Sequence, residues 1–95
     1  MIIDLVKFTA RQDAIDGALE AMKTQTVANR GDEGFVLTHV FQSKANPAEL
    51  YMLLGWENQE AVDKHLATQH DAEFIKALDP CLAGPPDFSD WTLII

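Results

Sequence analysis

Three histidines, His39, His65 and His70, are the only side chains in the sequence that titrate near neutrality without perturbation. Acid–base chemistry at pH 7 would start with them. His65 follows Ala61 and Val62 at helical spacing, which points its ring inward. An inward histidine has two readings: a hydrogen-bonded core residue, or a neutral general base over an apolar pocket. His70 falls in the first turn of the next helical segment, where the helix dipole disfavours an imidazolium. Capping, a subunit contact and ligand binding all suit it. His39 shares a strand side with Leu37 and Phe41. Arg30 closes a helical segment, as a helix-terminal cation or as a group that holds an anion. His65 and His70 stand five apart across an expected helix break, so they lack the i,i+4 spacing of a helical metal pair, and no metal is expected. No GxSxG, P-loop or GxGxxG is present. The one cysteine, Cys81, cannot form an internal disulfide and reads as a buried, inert thiol.

The elements that must position these residues follow from periodicity. Ile2 to Phe8 is rich in β-branched and aromatic residues and predicts a strand. From about Gln12 to Arg30 the spacing is helical, with Ile15, Ala18, Leu19 and Met22 on one stripe. Gly31 and Gly34 bracket a turn. Phe35 to Gln42 and Leu50 to Glu57 predict a strand hairpin across the Asn46-Pro47 turn signal. Asn58 can cap a short helix to about Ala67. Thr68-x-x-Asp71 is a capping-box variant that opens another, with Phe74, Ile75 and Leu78 on its stripe. Asp79-Pro80 interrupts it, and Trp91 to Ile95 predicts a closing strand. The order βαββααβ is the ferredoxin-like α+β arrangement, a four-stranded antiparallel sheet with its second helix broken.

Ninety-five residues and 10.6 kDa allow one domain, residues 1–95. Seven Lys and Arg against fifteen Asp and Glu give a net charge of −8, which repels a phosphate backbone and an anionic membrane surface. Neither nucleic acid nor membrane is an expected partner. MIIDLVKF alternates and carries an acid at its fourth residue, unlike a signal peptide, so a cytoplasmic location is expected. Helices cover only one sheet face, yet both faces of the strands are apolar. A second sheet, most simply that of a twin subunit, should cover the other. A homodimer is expected.

The stretch from Trp56 through Ala61, His65, Thr68 and His70 to Phe74 resembles the antibiotic biosynthesis monooxygenase-like (ABM) family, which commonly shows W-x-x-x-x-A-x-x-x-H-x-x-[ST]-x-H-x-x-x-F. Arg30 followed by Glu33-Gly34 looks like the family's turn, and Pro47 before an apolar strand ending in Trp56 also matches. The resemblance implies a dimeric α+β barrel with a pocket between sheet and helices in each subunit. It also implies oxygenases that use no metal or flavin and act on aromatic polyketides or quinols. Haem-degrading enzymes and an isomerase of a phosphorylated sugar are other relatives. The haem-degrading branch has an Asn on the first strand and a Trp where His65 stands, and this chain has neither. Leu54 and Thr38 stand where the family often has Glu and Tyr.

The expectation is therefore a monooxygenase for a small aromatic or quinol-type substrate, needing no cofactor. His65 is its base, and His70 or Arg30 holds the anion. Trp56, Leu54, His39, Leu66 and Phe74 line its pocket. The alternatives are a non-catalytic dimeric small-molecule-binding or stress-response protein, and an isomerase of a small metabolite.

Overall fold

The computed structural model describes residues 1–95. Strand β1 (Ile2–Thr9) leads into helix α1 (Ile15–Asn29), then strands β2 (Phe35–Gln42) and β3 (Glu49–Trp56). Helices α2 (Gln59–Leu66) and α3 (Gln69–Leu78), a 3-10 turn at Asp79–Cys81 and strand β4 (Asp87–Thr92) complete the chain. The sheet order is β2-β3-β1-β4 with antiparallel neighbours throughout. This is the ferredoxin-like arrangement.

Strand alternation sorts the side chains. Asp4, Val6 and Phe8 of β1 and Leu50, Met52, Leu54 and Trp56 of β3 face the helices and are buried. Against them pack Ala18 and Met22 of α1, Ala61 and Val62 of α2, and Leu78 of α3. The buried stripe of α1 differs from expectation. It runs Ala18, Met22, Gln25, Asn29, spaced four, three and four, with Ile15 and Leu19 only partly covered beside it. Two polar residues thus continue an apolar seam.

β4 also departs from the expected Trp91–Ile95. It begins at Asp87 and ends at Thr92, because its partner β1 runs out where Ile2 pairs with Thr92. Leu93 keeps one backbone bond, its N–H to Met1 O at 3.2 Å, and Ile94 and Ile95 are exposed.

The opposite sheet face has no helix over it. Registered rows run Leu37–Gly55–Ile3–Trp91, His39–Leu53–Leu5–Ser89 and Phe41–Tyr51–Lys7–Asp87. Phe41 and Trp91 there are 50% and 59% exposed.

Candidate active site

The α1–β2 turn is set by Gly34, whose φ of +80° suits a residue without Cβ. A Cβ at that position would collide with the side chain of Ala61 on α2. Gly34 O also accepts the Glu57 N–H at 2.8 Å. The turn therefore presses against the start of α2, which brings Asp32 within reach of that helix. Asn58 caps α2 by accepting the Ala61 N–H at 2.9 Å, and His65 falls in the last turn. Thr68 reverses the chain: its hydroxyl donates to His65 O at 2.7 Å and accepts the Asp71 N–H at 3.3 Å, opening α3. The capping box is half realised. The Asp71 carboxylate does not reach back to the cap but turns to Gln25 and His65.

These turns assemble a closed ring of polar side chains. Asp32 Oδ2 lies 2.8 Å from His65 Nδ1, and Asp32 Oδ1 lies 2.7 Å from His70 Nε2. His70 Nδ1 is 3.2 Å from Gln25 Oε1, and Gln25 Nε2 donates to Asp71 Oδ1 at 3.2 Å. Asp71 Oδ1 closes the circuit, 3.3 Å from His65 Nε2. Donor logic restricts the protons. With its amide donating to Asp71, Gln25 turns a carbonyl to His70, so His70 Nδ1 must carry hydrogen. Both nitrogens of His65 face carboxylates, an arrangement that favours the imidazolium. Burial works against that charge, but hydrogen bonds and charge from Asp71 and Asp32 outweigh it, leaving the His65 pKa above 6.5. The Trp56 ring, fully buried, lies against His65 with centroids 4.5 Å apart.

Beside the ring, between sheet and helices, lies a cavity of about 220 Å³. Its wall is mostly apolar, including Val6, Phe8, Met52, Leu54 and Phe74. His65 and Asp71 enter from the helices and Asp4 from β1. Asp4 is 6% exposed and faces Asp90 in the β1–β4 register. Burial, reinforced by the hydrogen bond and charge of Asp90 and opposed by His65, raises its pKa to about 7.

Of the residues expected at the site, His65, Leu54, Leu66 and Phe74 line this cavity. His70 belongs to the ring and faces a groove between α1 and α3. Trp56 is not on the cavity wall; it supports the far side of His65. His39 is on the opposite sheet face, because it alternates with Thr38, the registered neighbour of Leu54. Arg30 is exposed at the C-cap of α1 and touches neither the ring nor the cavity. The helix break does not separate the two histidines as spacing implied. It folds them to a 5.6 Å centroid separation around Asp32. Asp32, His65 and His70 thus offer three ligand-capable atoms within 4.8 Å of one another, a set able to hold a metal. Their mutual hydrogen bonds account for the geometry without one.

Asp4, Gln25, Asp32 and Asp71 were not legible as site residues. Signals existed for two of them: Gln25 extends an apolar stripe, and Asp4 interrupts the inward face of an otherwise apolar strand. Asp32 sits in a turn and Asp71 at a cap, where acids are ordinary.

A family profile described as antibiotic biosynthesis monooxygenase (ABM) matches residues 1–77. No curated protein sequence matches the chain. Among solved structures, an antibiotic biosynthesis monooxygenase superposes with a TM-score of 0.91 at 16% identity, covering 100% of both chains. A conserved protein from Methanosarcina mazei gives 0.88 at 23% identity, over 96% of this chain and 91% of its own. A Mycobacterium tuberculosis protein gives 0.92 at 16%, over 99% and 95%. At these identities the likeness is one of fold. No helix is long and apolar enough to cross a membrane.

Proposed function

The chain belongs to the antibiotic biosynthesis monooxygenase family, and from that premise we propose that it is a monooxygenase for a small aromatic or quinol-type substrate, working without metal or flavin. The observation that carries the reading is the cavity of about 220 Å³, apolar except for His65, Asp71, Asp4 and Asp79 on its wall. An engineered apolar cavity of about 150 Å³ holds benzene, so this one has room for one or two fused rings. Oxygen reacts slowly with closed-shell organic molecules, so the substrate must first become an electron-rich anion. An apolar wall strengthens any charge that meets that anion. His65, held between Asp32 and Asp71, is the only basic side chain on the wall. With both ring nitrogens facing carboxylates it is poorly placed to accept a proton as the expected neutral base. Its role in this proposal is the cation that stabilises the substrate anion.

The reaction balances with one dioxygen. A 1,4-dihydroxyarene takes up O2, one oxygen atom becomes a new ring hydroxyl on the quinone product, and the other leaves as water. The working unit in this proposal is a homodimer, with the uncovered sheet face buried against a second copy. Its test is oxygen uptake by chelator-treated protein with 1,4-dihydroxynaphthalene. Uptake that Leu54→Trp abolishes by filling the cavity supports the reading. Binding of the compound without uptake would make the protein a binding module instead.

A further inference from the structure

We propose that Asp4 is the group that takes the substrate's proton, with Asp90 as its positioning partner. This rests on the cavity being a substrate site, as proposed above. Asp4 is the only acid on the inward face of the two central strands, and a buried carboxyl among Val6, Leu54 and Phe88 needs a reason. Its place supplies one. Asp4 lies on the wall of the cavity and also on that of a neighbouring groove that holds Asp90 and Gln59. A proton taken from a substrate in the cavity thus has an exit through Asp90, which is exposed.

The surroundings suit a proton acceptor at neutral pH. From β4 it is faced by Asp90, from α2 by His65, and across the cavity by Asp71 of α3 and Asp79 of the 3-10 turn; its β3 neighbour is the apolar Leu54. Burial and Asp90 hold its proton affinity up to about pH 7, where both forms are populated. A general base works best when its pKa lies near the operating pH. In the step itself the substrate's acidic O–H or C–H bond breaks and its electron pair stays on the substrate, delocalised into the ring. The proton passes to an oxygen of Asp4, and His65 balances the new negative charge. Neither oxidant nor reductant is consumed.

Because this step precedes oxygen, it can be read without oxygen. The probe is 2-tetralone, a two-ring ketone with acidic C–H bonds, whose deuterium uptake from D2O is followed by NMR under argon. Wild-type protein should accelerate the exchange, and Asp4→Asn should lose at least about a hundredfold of that acceleration. Asp90→Asn should keep the exchange but move its pH profile to lower pH, since Asp90 raises the affinity of Asp4 for its proton. An Asp90 that only supports the fold would leave the profile in place. No acceleration by the wild type, or equal acceleration by Asp4→Asn, overturns the assignment. Exchange under argon with no oxygen uptake in air would overturn the oxygenase reading and leave the role of Asp4 standing.

Discussion

Asp32 and His65, thirty-three positions apart, meet at 2.8 Å, and the other oxygen of the same carboxylate holds His70 at 2.7 Å. One turn residue therefore orients both histidines. Its position depends on a glycine, Gly34, that lets the turn approach α2. The arrangement shares one feature with the Ser-His-Asp triad: a carboxylate fixes an imidazole in one orientation.

Asp32→Asn should keep the shape of this contact and remove its charge. His65 should then titrate at lower pH, because burial opposes its charge and one of the two acids that outweigh burial is gone. The cost to folding should be about 1–3 kcal/mol, that of a weakened, largely buried charge-assisted contact. NMR titration of the His65 ring and urea unfolding at pH 7 measure the two effects. An unchanged His65 midpoint would mean that Asp71 alone sustains it.

Stability should fall as pH rises. The pKa of Asp4 is raised from 3.8 to about 7, so its contribution is fully present below pH 3.8 and is lost as pH climbs through 7. His65, raised above 6.5, contributes fully below 6.5 and loses that contribution as pH passes its folded value. Both slopes run the same way. Asp4→Asn should flatten the first of them and, between pH 5 and pH 8, retain about 1–2 kcal/mol that the wild type loses, a discount on the full shift because Asp90 is open to water. Urea midpoints across that range decide it. A variant both more stable in alkali and unable to take the probe's proton is what a functional carboxyl predicts.

The fold was largely legible in the sequence and the site only in part. Period-two and helical stripes, the Asn58 and Thr68 caps and the Asp79-Pro80 break locate every element except the last strand, because each is a local consequence of backbone chemistry. β4 lies earlier than its apolar residues suggest because its bounds come from the length of β1, a long-range pairing with no local signal. The inward turn of His65 is legible from its spacing to Ala61 and Val62, and the structure buries it. Its acids escaped because Asp71 mimics a capping residue and Asp32 a turn residue until tertiary packing turns both inward. Residue type alone suggests His39 for the pocket, but alternation with Thr38 sends it to the other face.

That other face should be covered by a second copy. Leu5 and Leu53 stand at the centre of its rows, flanked by Leu37, Phe41 and Trp91. Apolar patches of this breadth are rare on monomers. The charge of −8 on each chain opposes pairing, but the Debye length of about 8 Å at physiological salt screens most of it. Light scattering at micromolar concentration should give twice 10.6 kDa, and Leu53→Glu should yield a monomer by setting a charge in the middle of the contact. A wild-type monomer would contradict the dimer.

The origin of the oxygen atom in the product tests the central proposal most directly. Chelator-treated protein turning over 1,4-dihydroxynaphthalene under 18O2 should give a hydroxyquinone that carries one labelled oxygen by mass spectrometry. The second labelled atom should appear in water, with no accumulation of peroxide. An unlabelled quinone formed together with labelled hydrogen peroxide would make the protein an oxidase and contradict the monooxygenase account.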